Sequence, residues 1–149
     1  MIDTAIPRPA NLNKGLLITA AIAVLSLLVG IFSKSAMQEM MLKQGVPADM
    51  VAQSGGSTFA VIGFSLVITG TVLFFIAKGY NVARVIWTVL GVLGMLSGLM
   101  GISLLFQVST VLGLLSLVSN VGYIVGMVFM WLGDSSAWFK QMKRMRMGL

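Results

Sequence analysis

Residues 85–133 form a run of 49 residues without one charged side chain, and that run constrains the chain more than any other feature. As a single helix it would be about 74 Å long at ~1.5 Å per residue, more than twice the ~30 Å hydrocarbon core of a bilayer. It must therefore fold back inside lipid. Its densest polar cluster, Gln107-Val108-Ser109-Thr110, predicts the break and leaves two spans, 85–106 and 111–132. Two further apolar segments are long enough to cross: 16–32, bounded by Lys14 and Lys34, and 59–77, closed by Lys78. The first begins too far from Met1 for a typical signal peptide and is expected to be retained. Composition agrees, with 9% charged residues against roughly 25% in soluble domains. The expectation is an all-α integral membrane protein, one domain of four transmembrane helices.

Four spans put both termini on one side. That side, with the turn at 78–84, holds Arg8, Lys14, Lys78, Arg84, Lys140, Lys143, Arg144 and Arg146, whereas the opposite side holds only Lys34 and Lys43. Eight basic residues against two is a positive-inside asymmetry, which predicts cytoplasmic termini in a bacterial inner membrane. Tyr80, Trp87, Trp131 and Trp138 fall at the same predicted interface, where amphipathic rings settle.

Two segments lie outside the spans. The outer loop, 33–58, has Met37, Met40 and Met41 at helical spacing, then Gly45-Val46-Pro47, then Ser54-Gly55-Gly56-Ser57. This predicts a short amphipathic helix, a break and a hinge. The helix would lie on the membrane or cap the bundle, and its methionines also suit an adaptable docking surface. In the tail, 133–149, Asp134 or Ser135 is expected to cap a helix with Trp138, Met142 and Met145 on one face and Lys140, Lys143 and Arg144 on the other. A basic amphipathic helix of this kind, with Arg146 beyond it, is predicted to bind anionic lipid headgroups; its Trp and Met face argues against nucleic acid.

The residue inventory excludes much chemistry. There is no His and no Cys, so imidazole acid–base catalysis, thiolate nucleophiles, disulfides and the common zinc sites are ruled out. The predicted spans contain no ionisable Asp, Glu, Lys or Arg, the groups on which proton- and ion-coupled transport relies. Small multidrug exporters need a membrane-buried Glu in their first helix, and 16–32 has none. Asp3, Glu39, Asp49 and Asp134 are scattered over both sides, so no catalytic constellation, metal site or cofactor site is expected.

Small residues in register are what the spans do offer. Gly91, Gly94, Gly98 and Gly101 share a face of the third helix; Ser119, Gly122 and Gly126 do so on the fourth; Thr19, Ala23, Ser26 and Gly30 do so on the first. Such stripes let helices approach closely in lipid, either within the bundle or against a partner or second copy. Asn120, near the middle of the fourth span with Ser116 one turn before it, needs a partner there. It is expected to bond across helices, or to line a small polar cavity with Ser97 or Thr88.

Lys78-Gly79-Tyr80-Asn81-Val82-Ala83-Arg84, entering a helix with Trp87, resembles the G-x-N-x-A-R turn of a loosely defined group of small, uncharacterised bacterial four-span membrane proteins. Asp134-Ser135-Ser136-Ala137-Trp138-Phe139 resembles their S-x-x-W-F ending, and Arg8-Pro9 their start. The resemblance implies the topology and no activity. It also implies a shared task for Asn81 and Arg84: capping the third helix and binding a phosphate headgroup. The leading functional expectation is a non-catalytic accessory or assembly subunit packing against a larger membrane complex, including respiratory or transport machinery or an immunity-type binder. The alternative is an oligomeric channel or carrier for an uncharged or lipidic substrate.

Overall fold

In the computed structural model the described residues are 6–148, without the side chains of 54–59; Asp3 lies outside them. Five helices follow in order: α1 (Ala10–Lys43), α2 (Ala48–Ala77), α3 (Asn81–Val108), α4 (Thr110–Trp131) and α5 (Gly133–Arg146). The first four are each long and apolar enough to span a membrane. Neighbouring helices run antiparallel, so Ile6 near the start of the chain meets Trp138 near its end: the Trp138 indole N–H donates to the Ile6 carbonyl at 3.3 Å.

The predicted outer loop is a helical hairpin. No Gly or Pro interrupts 33–43, and its Ala, Met, Gln, Glu and Lys are good helix formers, so α1 continues to Lys43. Glu39 and Lys43 pair at 2.8 Å one turn apart on this extension, in the favourable Glu-before-Lys order. The helix stops at Gly45, whose φ of 81° is open to a residue without a Cβ. There the Gly45 N–H reaches Leu42 O and the Val46 N–H reaches Met41 O, both at 3.0 Å, which is a Schellman closure. Gly79 (φ 82°) ends α2 in the same way, with bonds to Ile76 O and from Tyr80 N to Phe75 O. The expected hinge at Ser54-Gly55-Gly56-Ser57 does not form, because α2 is helical throughout Ala48–Ala77. Two glycines cost about 1 kcal/mol each relative to Ala, which does not outweigh pairing the backbone along two packed helices. One of the ties between them is Gln38 Nε2 donating to Val51 O at 3.3 Å.

The turn between α3 and α4 is confined to one extended residue, Ser109 (φ −162°, ψ 129°), inside the polar cluster at 107–110. So sharp a corner presses Phe106 onto α4: a Cβ on Gly113 would sit 2.5 Å from its ring.

The closest helix pair is α1 with α4. A Cβ on Gly15 would fall 2.9 Å from the Gly126 carbonyl oxygen, and one on Gly126 would fall 2.5 Å from Thr19 Oγ1. Gly122 meets Ile22 in the same seam. Thus the Gly122/Gly126 pair of α4 is used within the molecule. The α3 stripe is divided: Gly91 abuts the Met127 sulfur and Gly98 abuts the Asn120 amide, while Gly94 and Gly101 have nothing within 4 Å. Next to the seam, Leu12, Ile76, Ala83, Trp87, Met127, Met130, Trp138 and Phe139 form one buried cluster at the end of the bundle where α5 packs.

Gly15→Ala is therefore expected to destabilise the fold by about 1–3 kcal/mol, the usual range for overpacking, because the obstacle is backbone. Gly94→Ala should be neutral or slightly stabilising, since Ala is the better helix former. Thermal unfolding of the two variants in the same detergent checks the contrast; equal midpoints would refute the seam.

Candidate functional site

The C-terminal end of α4 is closed from three directions. The last carbonyls of a helix have no partner within it, and Ser135 Oγ donates to Phe129 O (3.1 Å), Arg84 Nη1 to Met130 O (3.1 Å) and Ser136 Oγ to Trp131 O (3.2 Å). Asp134 or Ser135 is the expected cap at the start of α5. The Ser135 hydroxyl, like that of Ser136, instead reaches back to α4, and Asp134 accepts from the Ser135 N–H and from Asn11 Nδ2, each at 2.9 Å.

Arg84 is only 5% exposed. Its guanidinium lies 3.9 Å from the Trp131 ring centre and 4.4 Å from that of Phe139, and Nη1 also donates to Ser136 Oγ at 3.2 Å. A cation suits this place because the C-terminal carbonyls of α4 are the negative end of its dipole, and aromatic faces offset part of its lost hydration. Its expected role at a lipid headgroup is thereby corrected: the charge is spent inside the protein. Asn81 is corrected as well. Tyr80 occupies the cap position of α3 and no side chain bonds there.

Trp138, 4% exposed and bonded to Ile6 O, faces the core together with Phe139. Trp87 is buried too, so two of the four expected interfacial anchors face inward, and only Tyr80 and Trp131 stay exposed. Burying these rings is what fixes α5 beneath the bundle. Arg146 completes the attachment by donating to Gly79 O and stacking 3.9 Å over Tyr80. Lys140, Lys143 and Arg144 remain exposed on the other face.

A cavity of about 420 Å³ occupies the centre of the four long helices. Ser26 of α1, Ser65 and Thr69 of α2, Trp87 and Gly94 of α3, and Ser116, Ser119, Asn120 and Tyr123 of α4 line it. The amide of Asn120 is corrected from an interhelical bond to one within α4, Nδ2 donating to Ser116 O at 2.9 Å. Ser119 likewise donates to Leu115 O at 2.9 Å. Ser97 and Thr88 were the expected companions, but Ser97 is exposed and the Thr88 hydroxyl is occupied by Arg84 O and the Trp131 N–H. The serines and threonine of α1 and α2 that do line the cavity were invisible as a set, because they converge from helices far apart in sequence. No Asp, Glu, Lys or Arg is among the lining residues, and among the described residues no three metal-ligating side chains converge.

Arg84→Ala should lower stability by about 3 kcal/mol, the scale of a charge-assisted bond plus cation–π contacts, and should release α5. Tryptic cleavage at Lys140 and Lys143 is expected to accelerate at least tenfold; unchanged cleavage would show that Arg84 does not hold α5. Set against known proteins, this fold and its cavity have no counterpart to lend them a role: no family model, no curated protein and no solved structure matches the chain.

Proposed function

We propose that this is a non-catalytic protein of a bacterial inner membrane, with cytoplasmic termini, that acts by docking onto a larger membrane protein complex. The observation supporting this reading is the projecting α1–α2 hairpin. Gly15 and Thr19 face Gly126, and Ile22 faces Gly122, so the antiparallel register brings the start of α4 level with about residue 33 of α1. The last ten or so residues of α1 and the first ten of α2 thus extend roughly 15 Å past the other two helices, at ~1.5 Å per residue. Leu42 and Met50 are exposed on this projection, at 50% and 60%. Apolar side chains held on a rigid hairpin beyond the bilayer core favour a protein partner over lipid tails. The partner is a separate membrane protein, and the exposed basic face of α5 holds the other end of the bundle against anionic headgroups.

Leu42→Glu with Met50→Glu should abolish co-purification of a fixed-ratio partner after mild detergent extraction while leaving the unfolding midpoint within a degree or two. Retention of the partner would refute hairpin docking. Lys140→Glu with Lys143→Glu and Arg144→Glu should weaken association of the tail end with anionic vesicles by tenfold or more at low salt, by the ~1 kcal/mol that each basic residue contributes near such a surface. Equal binding to anionic and neutral vesicles would remove the lipid role.

A further inference from the structure

We propose that the central cavity is a binding site for an uncharged amphiphile with oxygen acceptors in its head, the chemistry of a monoacylglycerol. Its volume of about 420 Å³ falls within the ~300–1,000 Å³ of small-molecule sites. Ser65, Leu90 and Gly94 line it and are also exposed, so its mouth opens between α2 and α3 toward lipid. A molecule can therefore enter sideways with its head among the four helices and its chain left in the bilayer.

The lining selects the head. Trp87 is 4% exposed, and its buried indole N–H has no protein partner. Such a donor calls for an acceptor oxygen, because away from water an unpaired N–H is costly. The Tyr123 ring, which also lines the cavity, lies 5.8 Å from that of Trp87 and adds a phenol to the polar groups of the lining. Asn120 spends one amide proton on Ser116 and keeps its oxygen and a second proton for a ligand, since a primary amide has two donors and two lone pairs. The oxygens of Ser26, Ser65 and Thr69 stand on the facing helices. Both donors and acceptors are thus offered, which matches an ester with free hydroxyls. An ionised head is excluded on the same ground: no charged side chain lines the site, and an uncompensated charge at this depth is strongly unfavourable. A plain hydrocarbon would fill the space but leave the Trp87 N–H unanswered.

The test uses the full-length protein in phosphatidylcholine nanodiscs and a diazirine-bearing monoacylglycerol. Photolabelling should saturate and concentrate in peptides spanning 65–69, 91–98 and 116–123. Unlabelled monoacylglycerol should reduce it at least fivefold, and an alkane of equal length should not. Gly94→Leu, which places a side chain where nothing lies within 4 Å of the glycine, should abolish the saturable labelling. Trp87→Phe should weaken competition by the monoacylglycerol about tenfold. Labelling spread evenly over the lipid-facing helices, unchanged labelling of Gly94→Leu, or equal competition by the alkane would each overturn the proposal, the last by showing a space that takes hydrocarbon without reading its head. If Trp87→Phe does not fold, Gly94→Leu and the alkane competition decide the matter by themselves.

Discussion

The close approach of α1 to α4 at Gly15, Thr19 and Gly126 is the constraint on which the rest of the structure depends. Lipid supplies no hydrophobic drive for helices to associate, so contact area and local bonds must do it. Where Cβ atoms are missing on both sides of the seam, two backbones can come near enough to fix the register of the pair. That register sets how far α1 overshoots α4, and hence the length of the projecting hairpin. It also leaves α3 to pack on α4 and α2 to pack on α1 and α3, across the bundle from α4, and between them small and polar residues leave a cavity instead of a filled core.

Packing is uneven along the bundle. At the end holding both termini, large side chains are buried and α5 is pinned by Trp138, Phe139, Arg84 and Arg146. Toward the middle, small residues dominate and the interior becomes partly polar. The two conditions are complementary. A bundle that is open at its centre needs a well-packed end to hold its helices in place, and there the buried Arg84 charge is held by the Met130 carbonyl, the Ser136 hydroxyl and two aromatic faces, with its Nε left unbonded.

Arg84 shows why a helix end deserves to be considered as a ligand in its own right. The residue sits at the start of α3, 46 positions before the carbonyl it bonds. In sequence it looks like one more member of an interfacial basic set, and its neighbours Tyr80 and Trp87 reinforce that impression. The actual partner is the C-terminus of α4, whose unpaired carbonyls attract a cation as a phosphate would. Ser135, an expected cap of α5, bonds the end of α4 for the same reason. Hydroxyls between two helices can serve either the helix that follows or the one that precedes, and composition does not distinguish them.

The sequence by itself determined what lipid physics demands. The charge-free run at 85–133, the hydropathy of the two earlier spans and the Ser109 region dictate membrane-crossing helices that double back, because a bilayer admits no unpaired backbone. Helical stripes of small residues were legible too, since they need only a period of 3.6. What faces what was decided by tertiary structure. Gly122 and Gly126 meet α1 while Gly94 borders open space; Trp138 turns inward while Trp131 does not; Ser54-Gly55-Gly56-Ser57 stays helical because α1 lies alongside α2. Each of these choices depends on the distance and rotation between helices that are remote in the chain, and no local pattern encodes either quantity.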